Sequence, residues 1–210
     1  MTLEELGKIV VELKDRQEIR ELMSRYGRAV DRLDRELLLS VYHPDATDDH
    51  GCYVGSPEVF AECALSMHAE ANTATQHIVT NHVCDLDGNT AHTETYWMYV
   101  GMNREGAPYS MGGGRYIDRL EKRDGRWGIV ARKCVVDWSA GASSEHLLTA
   151  AENAAVRDME PTARDHSDPS YQRPLQVRPE RLRWTERILA ERRASRRASK
   201  VASELLPFYD

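Results

Sequence analysis

The spacing of apolar residues changes once along the chain, near residue 72, and that change bounds the fold more tightly than any motif. Before it, apolar side chains recur every three or four positions; after it they alternate. Residues 3–14 read as a short amphipathic helix with Leu3, Leu6, Ile9, Val10 and Leu13 on one side. Asp15 followed by Glu18 has the form of a capping box opening a second helix, in which Ile19, Met23, Tyr26 and Val30 make a core-facing stripe ending near Asp31. The stretch "DRELLLSVYHPDA" predicts another short helix stopped by Pro44, and Ser56-Pro57-Glu58 opens a third over residues 56–68. Strands are expected at 74–84, 90–101, 108–121 and 126–138, separated by "DGN", "NREGAP" and "KRDG" turns. Helices first and strands later, joined by short turns, mean an α+β domain: an antiparallel sheet with helices on one face.

Past Trp138 the pattern loosens. A short helix is expected within "SAGASSEHLLTAAENAAVRD", then the turn-rich "PTARDHSDPSYQRPLQVRP", then an Arg-rich helix over 180–206 carrying Leu182, Ile188, Leu189, Val201 and Leu205. Residues 1–145 are therefore taken as the domain and 146–210 as a C-terminal helical extension. The net charge of −6 conceals an asymmetry: residues 173–210 hold ten Lys/Arg against five Asp/Glu, leaving −11 on the rest. An acidic body is a poor fit to nucleic-acid binding. The basic extension is expected to dock on that body or to wrap a neighbouring subunit. No run of about 18 apolar residues exists and the acidic, amphipathic N-terminus lacks a signal pattern, so a cytoplasmic chain without a membrane partner is expected. Cys52, Cys63, Cys84 and Cys134 are scattered and are expected to be reduced thiols.

Several residues carry potential chemistry. Asp31 ends an otherwise apolar helical stripe, where the helix dipole disfavours a carboxylate; it either pairs with Arg28 or Arg32 or orients an imidazole. In "TATQHIVTN", His77 shares a strand face with Thr75 and Val79 and is either structural or a base. Tyr26, Tyr42, Trp97 and Tyr99 are either core aromatics or cavity walls. Arg115 follows three glycines and shares a face with Ile117 and Arg119, while Arg132 alternates with Val130, Cys134 and Val136. Either arginine could bind an oxyanion from within a cavity or face solvent. "HPDATDDH" crowds two histidines and three aspartates, but the spacing matches no metal pattern, and the glycine triplet lacks a P-loop Lys-Ser/Thr. Neither a metal nor a cofactor is expected.

The ordered segments "IRELMSRYGRAVDRLDRELLLSVYHPDA", "GCYVGSPEVF", "TQHIVTN" and "GGGRYIDRLEKRDGRWGIVARKCVVDW" resemble the SnoaL-like branch of the nuclear transport factor two-like superfamily over about residues 12–140. The resemblance implies a cone, a curved, mostly antiparallel sheet wrapped around N-terminal helices with a deep apolar pocket. In relatives such as scytalone dehydratase and hexachlorocyclohexane dehydrochlorinase, a strand histidine is the general base and an aspartate ending the first long helix pairs with it. By position these are His77 and Asp31; Tyr26 matches a pocket-facing residue, and Arg115 or Arg132 a pocket arginine. A second catalytic histidine found in scytalone dehydratase has no counterpart on this reading, since His92 falls on the wrong strand face. The resemblance implies a cofactor-independent lyase acting on a bulky apolar molecule such as a steroid, polyketide or terpenoid. Catalytic His77, Asp31 and Tyr26 would be joined by substrate-binding Arg115, Arg132, Trp97, Tyr99, Tyr42, Val79 and Ile117, in a homodimer or homotrimer. The same fold serves isomerases, cyclases and non-catalytic binding or assembly modules, which stand as the alternatives.

Overall fold

A computed structural model describes residues 1–106, 108–141, 149–161 and 166–205, with side chains up to residue 197. Three helices come first: α1 (Leu3–Asp31), α2 (Arg35–Ser40) and, after two strands, α3 (Pro57–Ala71). The strands are β1 (Tyr42–Asp49), β2 (Val54–Gly55), β3 (Asn72–Asp87), β4 (Thr90–Asn103), β5 (Tyr109–Arg123) and β6 (Arg126–Gly141). They form one curved sheet in the order β2-β1-β6-β5-β4-β3. All pairings are antiparallel except β1 with β6, which is parallel. The architecture is the expected α+β one, with the N-terminal helices packed on the inner face.

Two local expectations need correction. Residues 3–31 form one helix, not two, and its N-terminus is capped reciprocally by Thr2 and Glu5. Asp15 opens nothing: its buried carboxylate accepts hydrogen bonds from Lys122 Nζ at 2.6 Å and Trp127 Nε1 at 3.0 Å, so tertiary donors satisfy it in mid-helix. The stripe Leu3, Leu6, Ile9, Val10 and Leu13 lies on the exposed first half of this helix. The short helix α2 ends at Ser40, before Pro44, and residues 42–49 form a strand. Pro44 is accommodated because the β1–β6 register breaks between Tyr42 and Thr47.

Beyond the sheet, α4 (Ala150–Arg157) and α5 (Arg183–Leu205) flank two short 3-10 turns at Pro169–Tyr171 and Pro179–Leu182. The expectations for residues 142–148 and 162–165, and for the side chains of Val201 and Leu205, lie outside the described residues. What is described of the extension packs on its own chain. Leu175 buries against Ile117, Ala131 and Val135 on the outer face of the sheet, and Ala151, Ala155, Trp184 and Ile188 join the main core. Among the described residues no helix is long and apolar enough to cross a membrane.

Candidate active site

The end of α1 meets the edge of the sheet at β3. Gly27 faces the backbone of His77 there, and a methyl group in its place would touch the His77 carbonyl oxygen at 3.4 Å, an ordinary contact. One helical turn later Asp31 faces the edge strand, whose outward N–H groups have no ladder partner. Asp31 Oδ2 accepts the backbone N–H of His77 at 2.8 Å. Asp31 Oδ1 accepts from Thr75 Oγ1 at 3.0 Å and from His77 Nδ1 at 2.6 Å. Burial raises the Asp31 carboxyl's pKa, but these donors outweigh it and hold the group below its ordinary value. The ionised carboxylate assigns the His77 proton to Nδ1 and leaves Nε2 as the basic nitrogen. The helix-end carboxylate is thus stabilised by strand donors, which offset the unfavourable dipole.

The His77 ring lies on the wall of a cavity of about 820 Å³, together with Trp97 and Tyr99. Gly113 and Gly114 explain how the wall fits: a Cβ at Gly113 would lie 2.5 Å from the Trp138 indole, and one at Gly114 would collide with the Val135 carbonyl. The triplet therefore makes room for indole rings and a bulge between Gly113 and Gly114, and only Gly112 reaches the cavity.

Two further imidazoles share this cavity, and sequence reasoning missed both. His68, near the end of α3, sits edge-on to His77 with ring centroids 5.3 Å apart. Burial, reinforced by His77, pushes its pKa down to about 4, so it is neutral. Asn72, which also accepts from the Tyr99 hydroxyl at 3.1 Å, lies beside it.

His50 is the opposite case. Its Nδ1 lies 2.6 Å from Asp48 Oδ1, and Tyr42 donates its hydroxyl proton to Asp48 Oδ2 at 2.6 Å. Burial disfavours the charged ring, but the adjacent Asp48 carboxylate, helped by the Cys134 sulfur, prevails and pushes the His50 pKa up to about 10. His50 is then an imidazolium at neutral pH, with Nε2–H donating to the Tyr26 hydroxyl oxygen at 3.1 Å. The available signal was the alternation within "TDDH", which sets Asp48 and His50 on one face two residues apart. The other side chains of that cluster are committed elsewhere: His43 to the Glu121 carbonyl, Asp45 to Arg123 and Asp49 to Arg181.

Several expected wall residues are placed otherwise. Tyr26 is 1% exposed and lies behind His50, so it touches the second imidazole and not His77. Tyr42 is likewise buried and holds Asp48. Arg132 is fully buried in a bidentate pair with Asp118 at 2.7 and 2.8 Å, and its guanidinium sits 4.2 Å from the Tyr26 ring centroid and 4.3 Å from that of Tyr116. It underlies the wall without lining it. Arg115 and Ile117 point to the opposite, outer face: Arg115 is bonded to Asp137 and Asp168, and Ile117 packs under Leu175. Their shared parity was read correctly, but the described part of the extension packs on that face, and neither residue lines the cavity beside His77. Val79 packs against the core and is not on the cavity wall.

The family described as the SnoaL-like domain matches residues 11–133. The chain belongs to that SnoaL-like family. Solved structures share its fold at low identity. A hexachlorocyclohexane dehydrochlorinase (LinA) type 2 is 21% identical with a TM-score of 0.57, covering 63% of this chain and 91% of that one. A protein from Kribbella flavida is 19% identical with a TM-score of 0.57, covering 65% and 97%. A nuclear transport factor 2-like superfamily protein from Salmonella enterica is 20% identical with a TM-score of 0.53, covering 57% and 89%. No curated protein matches the chain in sequence. The SnoaL-like match ends at residue 133, so α4, α5 and the segments between them lie outside it.

Proposed function

We propose that this SnoaL-like protein is a cofactor-independent lyase that expels water from a β-hydroxy carbonyl compound on a bulky, largely apolar scaffold. The observation that carries the reading is the Asp31–His77 pair on the wall of a cavity of about 820 Å³, a volume in the usual range for a small-molecule site, about 300–1,000 Å³. His77 Nε2 removes the proton next to the carbonyl, and Asp31 offsets the positive charge that appears on the ring. The charge of the His50 imidazolium, whose N–H groups are held by Asp48 and Tyr26, acts through space from the cavity wall on the negative charge that moves onto the substrate oxygen. The proton on His77 then passes to the departing hydroxyl, which leaves as water. Met67, Met111 and Val136 supply apolar wall, while Asn72, Asn103 and Ser110 offer polar contacts for further oxygens.

The test is incubation with fused-ring β-hydroxy ketones, followed by product mass, for the native protein and His77→Ala. Loss of water that depends on His77 supports the lyase. No loss of water, with only the mass increment of incorporated solvent deuterium, would assign an isomerase or cyclase on the same pair. Turnover equal in native protein and His77→Ala would remove His77 as the base.

A further inference from the structure

We infer that Arg181, in the C-terminal extension, is a positioning residue that holds the turn carrying His50 and so aims the second imidazole into the cavity. This rests on the reading above only in taking the His50 ring to serve the site; the contacts themselves are independent of it. His50 sits in the tight connection between β1 and β2, where its N–H donates to the Tyr53 carbonyl at 2.7 Å and Cys52 N–H donates to the His50 carbonyl at 2.8 Å. Two-residue β2 is a weak anchor for such a turn.

The guanidinium of Arg181 grips the turn on both sides of His50. Its Nε donates to Asp49 Oδ2 at 2.5 Å, and its Nη2 to the Gly51 carbonyl at 2.8 Å. A third bond, Nη1 to the Ala155 carbonyl at 3.1 Å, ties the same group to α4. Arg181 is 1% exposed. A planar fork that bonds the Asp49 carboxylate and two carbonyls, with Asp158 at 3.4 Å as a second ion-pair partner, is a task lysine cannot reproduce, since its ammonium is a point charge. Further along the extension, Thr185 Oγ1 donates to the Val54 carbonyl on the other leg of the connection. Met159 rests against Gly51, where an added Cβ would meet its sulfur at 2.5 Å. The extension is therefore packed around the one turn that presents His50. A purely structural strap would need no such convergence.

The experiment uses the full chain with 15N-labelled histidine and compares native protein with Arg181→Lys at neutral pH. In Arg181→Lys the His50 ring signals should shift or broaden, while those of His68 and His77 stay in place. Binding of 4-nitrophenolate, a probe for an oxyanion site, should weaken about ten- to a hundredfold, as expected for a misplaced group. His50 signals that superimpose on the native ones in folded Arg181→Lys would overturn the proposal. Asp49→Asn keeps the Gly51 bond and weakens the other, so a smaller change in the same direction is expected. If Arg181→Lys does not fold, unchanged His50 signals in Asp49→Asn overturn the proposal equally. Native protein that fails to bind nitrophenolate counts against the oxyanion role of His50, and the ring spectra then decide on Arg181 alone.

Discussion

Asp31–His77 and Asp48–His50 are carboxylate–imidazole pairs with the same 2.6 Å contact, built in opposite ways. The first joins a helix end to an edge strand 46 residues away, and its carboxylate remains 11% exposed while accepting three hydrogen bonds. The second is local: two residues apart, with an aspartate side chain wholly buried and sharing its charge between His50 and Tyr42. Coulomb attraction grows as the surroundings lose polarity, so the buried carboxylate holds its imidazole as a cation. Contact distance alone does not set what an imidazole does; the burial of its partner and the donors competing for that partner do.

The sharpest way to break the comparison is His77→Ala. Elimination should fall by about 10²–10⁴-fold, the usual contribution of a general base, with the thermal midpoint nearly unchanged. Equal loss from His50→Gln and none from His77→Ala would invert the two roles. Asp48→Asn comes next. It leaves His50 buried without its counter-charge, so ring 15N shifts should report a neutral imidazole and urea unfolding a loss of about 1–3 kcal/mol.

The pairs should also fail at opposite ends of the pH scale. His50 is raised to about 10 in the folded state. Its contribution to stability is complete below about pH 6.5, the unfolded value, and disappears as pH rises through about 10. Asp31 is depressed, so its contribution is present above about pH 3.9, the unfolded value, and is lost as pH falls through the folded one. Unfolding curves for native protein and His50→Gln should therefore converge in alkali, and those for native protein and Asp31→Asn in acid. The reverse pattern would refute both charge assignments. Thr75→Val is expected to have the smallest effect, about 1 kcal/mol for one lost hydrogen bond, read as a small fall in the urea midpoint.

Much of this was legible in the sequence, for reasons that differ by element. Strands β3 to β6 follow from alternation bounded by short turns, and their limits lie within a few residues of those expected. Strand β1 was hidden by Pro44, whose conflict with strand structure is relieved only by a register break against β6. The single α1 helix was hidden by Asp15, which looks like a cap until Lys122 and Trp127, more than 100 residues away, are seen to bind it. In the site, His77 and Asp31 were picked out together through resemblance, and the structure brings them into contact. His68 drew no such attention, since a histidine at a helix end has no periodic signature, and His50 was weighed only within a cluster whose spacing fits no metal.

Local pattern settled that helices precede the long strands and set the parity along the middle of β5, because propensity and alternation are local. Arg115 and Ile117 share one face and Tyr116 and Asp118 the other, and nothing in the fold alters that. Which face encloses the cavity was decided only in three dimensions. The helices cover one side of the sheet, the C-terminal extension buries the other under Leu175 and Asp168, and the difference lies in contacts between segments far apart in sequence. Charge was decided there too. His68 and His50, in one cavity, shift in opposite directions because burial and a neighbouring carboxylate act through space, and a linear pattern carries neither.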